Sequence, residues 1–351
     1  MSHSTPGSVS IIVPARNEEA NIARLLRSLA AQQGAREILV VDDQSEDGTA
    51  AVLKSLEAEI PLLRVLRVDV LPEGWLGKTY AANLAAGEAT GEWLLFTDAD
   101  TVHQPGSLEA VLELAEKEGA DLLSLSPGQQ TPTWWEKAVI PQVYVNLARL
   151  YRFEEVSDPA SPSAAANGQY LLVRREVYAR VGGHEAIRGE VLDDVELAKR
   201  VKSAGGKLVF LPGSAWVETR MYRTFREMWS GWTKNLFLLH GRSRANILKT
   251  IAELWVLDLL PQIFLIVLVL GLFSGHGNAG EFYAALGCLL VVVARHVGYW
   301  RAVTRLGFDP GVVPWRMEGA ALLSALLVSS FVAHRVSRQV DWKGRSYSTR
   351  G

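Results

Sequence analysis

Residues 259–280 contain no Asp, Glu, Lys or Arg and are dominated by Leu, Val, Ile and Phe. A run of this length satisfies the roughly 20 residues a helix needs to cross the hydrocarbon core of a bilayer. A buried helix of a soluble protein does not need to be apolar on every face for so long. Two shorter uncharged runs follow at 282–294 and 319–333, and each spans only if flanking aromatics and snorkelling arginines complete it. Up to about residue 250, by contrast, charged and apolar stretches alternate as in a globular protein. The 351 residues are therefore expected to form a cytosolic domain over 1–240 and a membrane region over 241–351. That region would hold two to three apolar segments, near 251–273, 282–300 and 315–334, and a basic tail. The apolar half accounts for a mean hydropathy of +0.10.

Composition removes several alternatives. A formal net charge of -2 supplies no sequence-wide basic field for nucleic acid. The single cysteine, Cys288, lies inside an apolar run, which leaves neither a disulfide framework nor a cysteine zinc site and fits a reducing cytosol. Residues 1–8 lack an apolar core, so no secretory signal is expected there. Arg242, Arg244 and Lys249 precede the first apolar segment, and Arg295, Arg301, Arg305 and Arg316 separate the second from the third. By the positive-inside rule both groups are cytoplasmic, yet three full spans would put Arg335, Arg338, Lys343, Arg345 and Arg350 outside. The rule and the span count disagree unless one short segment is interfacial or re-entrant. The inner membrane, with the globular domain in the cytoplasm, is the expected location.

The first half reads as strands alternating with helices. Residues 9–13 form a short β-branched run stopped by Pro14, and Asn17 is placed to cap a helix carrying Ile22, Leu25, Leu26 and Leu29. Further strands are expected at 37–41, 62–68, 93–97, 121–125 and 170–173. Helices are expected at 48–56, 81–89 and 108–118. This alternation implies a mostly parallel sheet with helices on both faces, an α/β architecture. Asp42, Asp43, Asp98 and Asp100 then fall just past the C-terminal ends of strands, the edge where open α/β sheets bind ligands. Asp also favours turns and caps, but two acidic groups on one rim repel each other and call for a cation. Residues 134–153 draw an apolar stripe through Trp135, Val139, Val143, Leu147 and Tyr151, suited to core packing or to a bilayer interface.

Residues 13–19, 41–49 and 98–100 resemble the opening motifs of family 2 glycosyltransferases with the GT-A nucleotide-diphospho-sugar fold, and the likeness extends over about 9–235. Within that family, Gly74-Trp75-Leu76-Gly77-Lys78, Asn167-Gly168-Gln169 and Gly182-Gly183-His184 resemble the membrane group of hopene-associated and diaponeurosporenoate (carotenoid) glycosyltransferases. The resemblance implies a UDP-sugar donor, with Asp43 accepting a hydrogen bond from uracil, Pro14 and Ala15 lining its pocket, and Glu18 near the ribose. Asp98-Ala99-Asp100 matches the DXD motif, whose acids hold Mg2+ or Mn2+ against the diphosphate. Asp98 also touches the donor, and Lys78 would add a second positive charge there.

Asp193 and Asp194 open a helix carrying Val195, Leu197 and Val201, where the helix dipole favours ionised acids. The resemblance makes Asp194 the general base of an inverting displacement. The family's Glu-Asp is Asp193-Asp194 here, so the base survives with a shorter neighbour. Asn167, Gly168, Gln169, Asp193 and Trp232 would line the acceptor side. Processive synthases carry Gln-x-x-Arg-Trp, whereas Met228-Trp229-Ser230-Gly231-Trp232 keeps only the tryptophan, which implies a single sugar transfer. The expected product is a hexosylated membrane lipid, with glucose as the sugar and a polycyclic or carotenoid terpenoid as acceptor. A polyprenyl-phosphate sugar synthase, with Arg220, Arg223 and Arg226 near the phosphate, and a non-catalytic membrane scaffold remain as alternatives.

Overall fold

The computed structural model describes residues 8–274, 278–337, 339–342 and 345–348. Of the basic tail, Arg338, Lys343 and Arg350 lie outside the described residues. The chain divides into two compact units, one of residues up to Gln129 with Tyr151–Met221, the other of Gln130–Leu150 with everything from Tyr222 on.

The first unit runs β1 (Val9–Ala15), α1 (Ile22–Ala30), β2 (Ala35–Asp42), α2 (Thr49–Glu59), β3 (Leu63–Arg67), α3 (Gly77–Glu88), β4 (Trp93–Phe96), β5 (Thr101–His103), α4 (Ser107–Glu118), β6 (Leu122–Ser126) and β7 (Gly128–Gln129). Helix α5 (Trp134–Leu150) belongs to the second unit. The chain returns with α6 (Phe153–Ser157), β8 (Leu171–Arg174), α7 (Arg175–Arg180), α8 (Asp193–Ser203), β9 (Leu208–Pro212) and β10 (Val217–Thr219). Seven strands form one sheet in the order β3-β2-β1-β4-β8-β6-β9. Successive β-branched residues alternate faces on β1: Ile11 and Val13 join α1, α2 and α4 in one core, while Ile12 joins α3 and α8 in the other. Both faces are covered, so β1 is apolar without alternation, as parallel strands require.

Two local expectations need correction. Pro14 does not stop β1, which continues to Ala15 in register with Asp42, because a proline near a strand's end gives up only one ladder bond. Asn17 does not cap α1. It takes a left-handed φ of 53°, its backbone N–H donates to Ser45 Oγ at 3.0 Å, and its Oδ1 accepts from Glu46 N at 2.8 Å. The sheet is mostly parallel, as expected, with β8 running antiparallel to both β4 and β6.

The second unit is helical. After α5 come α9 (Phe225–Leu239), α10 (Arg244–Glu253), α11 (Leu260–Phe273), α12 (Ala279–Arg305) and α13 (Arg316–Val332). A wider π turn at Leu254–Leu259 joins α10 and α11 into one helix, Arg244–Phe273. Among the described residues three helices, Arg244–Phe273, Ala279–Arg305 and Pro310–Ser337, are long and apolar enough to cross a membrane. A short hairpin, β11 (Gln339–Trp342) and β12 (Arg345–Ser348), follows.

Candidate active site

The C-terminal ends of β1, β2 and β4 share one edge, since β1 pairs parallel with both neighbours. Two loops leaving that edge are stitched together. The Arg16 guanidinium, 7% exposed, donates to the carbonyls of Asp43 and Gln44 at 2.8 and 2.6 Å and pairs with Glu46 at 2.9 Å. Gly48 N donates to Glu19 Oε2 at 3.0 Å, and Glu18 N donates to Thr49 Oγ1 at 2.8 Å. Asp43 is buried beside Ala15, whose carbonyl accepts from Asp43 N at 2.8 Å. The Glu18 carboxylate accepts from Asn21 Nδ2 at 2.8 Å. Pro14, Ala15, Glu18 and Asp43 thus form one rigid corner, with Pro14 reaching into the neighbouring cleft.

The turn at 98–100 rests on a buried, uncharged knot. Thr97 Oγ1 lies 3.0 Å from Thr101 Oγ1 and 3.1 Å from His103 Nε2, and it donates to the Gln169 carbonyl at 2.8 Å. Thr101 Oγ1 in turn donates to the Asp98 carbonyl at 2.9 Å. Burial pushes the His103 imidazole down to about 3, so it stays neutral. Thr219 Oγ1 donates to the Asp100 carbonyl at 3.2 Å.

Above this knot, charges from distant parts of the sequence meet. Lys78 Nζ lies 2.9 Å from Asp98 Oδ1 and 3.6 Å from Asp193 Oδ1. Asp194 Oδ2 accepts from Gly168 N at 2.7 Å, and its Oδ1 accepts from Val195 N at 2.8 Å. A Cβ on Gly168 would fall 2.9 Å from Lys78 Nζ and 3.5 Å from Asp194 Oδ2, so a side chain there would push the Lys78 ammonium aside. Phe96, Leu171 and Leu197 supply the apolar wall of this cleft.

Burial draws the Lys78 ammonium down, but Asp193, Asp98 and Asp194 outweigh it and hold the pKa well above the ordinary lysine value. Burial pushes the Asp194 carboxyl up to about 6, aided by Asp193 and opposed by Lys78 and by the Gly168 and Val195 amides. The helix terminus alone would favour the ionised form; desolvation and like charge win here. The acid is ionised at neutral pH yet basic enough to accept a proton.

Among the described residues no three His, Cys, Asp or Glu side chains gather to hold a metal. Asp98 and Asp100 offer at most two carboxylates. That number suits a divalent cation whose remaining ligands are diphosphate oxygens and water, as Mg2+ and Mn2+ favour. The residues present therefore fit such an ion.

The sequence-assigned residues do not all meet. Lys78, Asp98, Gly168, Asp193, Asp194 and Pro14 surround one cleft. Asn167 instead folds onto its own loop, Oδ1 accepting from Gln169 N at 3.0 Å. Gln169 is 3% exposed and reaches Gln129 and Thr219, bracing the loop from behind. Trp232 lies in the second unit, 3% exposed between Tyr144 and Tyr222. One titratable cleft residue had no assigned role: His184, buried against Phe96, with Nδ1 2.9 Å from Tyr178 Oη and Nε2 3.7 Å from Asp193 Oδ2. Gly183, at φ 52°, leaves room only for the Tyr178 ring and delivers His184 to this position. The double glycine ahead of a histidine was the available signal.

Comparison with known proteins follows the same lines. The family described as Glycosyl transferase family 2 matches residues 10–182. A 4,4'-diaponeurosporenoate glycosyltransferase of Staphylococcus haemolyticus is 28% identical over 72% of this chain and 67% of its own. One from Staphylococcus aureus is 27% identical over 97% of this chain and 88% of its own. Among solved structures, a mannosyltransferase from Pyrobaculum calidifontis in complex with GDP-Man and Mn2+ aligns with a TM-score of 0.54 at 18% identity, covering 95% of this chain and 89% of that one. The last likeness establishes the GT-A fold.

Proposed function

We propose that this chain, which matches glycosyl transferase family 2 over residues 10–182, moves one glucose from UDP-glucose to a membrane lipid of carotenoid or hopanoid type, with inversion at the anomeric carbon. The observation that carries this reading is the convergence of Lys78, Asp98, Asp193 and Asp194 on one cleft, three carboxylates facing one ammonium. The names of the relatives support the acceptor class.

Asp98 and Asp100 would hold Mg2+ or Mn2+, which supplies positive charge at the diphosphate when bound. Asp43, Pro14, Ala15 and Glu18 form the corner for the nucleoside. Lys78 stays charged and neutralises the oxygen that gathers charge as UDP leaves. Asp194 accepts the proton of an attacking hydroxyl, and the Gly168 and Val195 amides, one on each carboxylate oxygen, fix its orientation. Asp193 holds Lys78 in place.

The test is sugar transfer from UDP-glucose by detergent-purified protein with Mn2+ or Mg2+, using a lipid extract as acceptor and mass to read products. The expected result is a one-hexose lipid made by wild type and lost in Asp194→Asn. A hexosyl polyprenyl phosphate would move the reading to the polyprenyl-phosphate synthase. No UDP-sugar binding or turnover at all would overturn the donor assignment.

A further inference from the structure

The three long apolar helices are not packed alike. Helices α11 and α12 pack on each other and turn large apolar side chains outward: Ile266, Val267, Leu270, Leu290 and Val293 are each at least half exposed. In α13 the pattern is reversed, with Leu323, Leu326 and Leu327 fully buried. Its partners are α5, α9, α10 and the 254–259 turn. Gly319 lies so close to α5 that a Cβ would overlap the Ala138 carbonyl. Ser330 Oγ accepts from Phe237 N at 2.8 Å and donates to the Thr233 carbonyl at 2.6 Å, and His334 Nε2 lies 2.8 Å from the Lys234 carbonyl.

Those partners cannot follow α13 through a bilayer. Helix α9 carries Arg226, Glu227 and Lys234, and α5 carries Glu136, Lys137 and Arg149. Charged side chains in hydrocarbon cost several kcal/mol each on the order of insertion scales.

A charged cluster marks where the hydrocarbon ends. Asp258, 2% exposed, accepts from Arg295 Nε at 2.8 Å and Nη2 at 3.2 Å, and also from the buried Arg316. Along α11 and α12 these groups lie about 22–24 Å from Phe273 and Ala279, short of the roughly 30 Å core by a margin that snorkelling of Arg295 and local thinning of the bilayer take up. Arg316 begins α13 at this level, and α13 then packs along α10, the segment that leads into the cluster from the side away from the turn.

We propose that α11 and α12 form a two-pass hairpin whose exposed faces meet the acyl chains of the bilayer, while α13 lies with α5 and α9 at the cytoplasmic boundary and does not cross. The chain beyond Ser337 therefore returns to the side of Arg242, Arg244 and Lys249. This places Arg301, Arg305, Arg316 and Arg335 there as well and removes the conflict with the positive-inside rule. The inference stands on the helical unit alone and does not depend on the donor or acceptor.

The test replaces the native thiol by Cys288→Ser and introduces single cysteines at Gln33→Cys, Ser274→Cys and Val336→Cys, all exposed positions. Cells are treated with a membrane-impermeant maleimide before and after permeabilisation. Ser274→Cys is expected to react in intact cells, and Val336→Cys to react only after permeabilisation, as Gln33→Cys does. Labelling of Val336→Cys from outside would establish three crossings, and protection of Ser274→Cys in intact cells would show that the hairpin does not cross; either overturns the proposal. Trypsin cleavage after Arg335 in the unaltered protein, expected in inside-out vesicles only, repeats the test without substitutions; cleavage in right-side-out vesicles contradicts it.

Discussion

Each unit buries a cluster of charge, and the two clusters are built with opposite imbalance. In the first unit three carboxylates, Asp98, Asp193 and Asp194, surround Lys78. In the helical unit two guanidiniums, Arg295 and Arg316, grip one carboxylate, Asp258. The bidentate Arg295 contact and the Arg316 contact use both oxygens of Asp258, so that cluster is closed upon itself and clamps three helices. The acid-rich cluster is left short of positive charge, which a divalent cation would supply, and burial, aided by the neighbouring Asp193, lifts Asp194. The arginine-rich cluster joins three helices, whereas the acid-rich one lines a cleft.

Substitutions at the two clusters should therefore separate. The largest effect is expected at Asp98→Asn, which removes a metal ligand: UDP-glucose turnover with Mn2+ should fall on the order of 10⁴-fold, the rate equivalent of about 5 kcal/mol. Asp194→Asn should cost about 10³-fold with a hydroxyl acceptor. With a carboxylate acceptor, which brings no proton to lose, the loss should be much smaller, so comparing the two acceptors isolates the base role. Asp258→Ala should do the reverse of both. Leaving the buried Arg316 guanidinium without its partner should cost about 3–5 kcal/mol of stability, read as a lower Tm in detergent, with affinity for UDP unchanged. A loss of UDP affinity there would break the distinction between the clusters.

The smallest effect is a shift along the pH axis. The base works only when ionised, so with Asp194 at about 6 the value of kcat/KM should fall about tenfold per unit on the acid side of that point and level off above it. Lys78 lowers the Asp194 pKa. Lys78→Gln should therefore move the acid limb to higher pH, on top of its loss of rate. An acid limb that stays in place would mean that the titrating group is not Asp194.

Much of the first cluster was legible because strand ends are readable. A β-branched run followed by paired acids puts Asp43 and Asp98 at the same sheet edge once the strands are parallel, and the apolar spacing of α8 puts Asp193 and Asp194 at its start. What could not be read is what chain reversal brings in from elsewhere. The antiparallel β8 carries the 167–169 loop back to the edge, so that the Gly168 amide meets Asp194 while Gln169 turns inward as a brace. His184 beneath Asp193 and the Arg16 clamp on Asp43 and Gln44 depend on such returns. The second cluster was hidden for the same reason. Arg295 and Arg316 looked like charges flanking apolar segments, and only the packing of three helices shows that both point at Asp258.

The central claim, that the acid-rich cleft holds a nucleotide diphosphate through a divalent cation, is tested most directly by calorimetric titration of UDP into the purified protein with and without Mn2+. Binding should tighten with Mn2+ in the wild type and become independent of Mn2+ in Asp98→Asn. UDP affinity in the wild type that is the same with and without the metal would contradict the account.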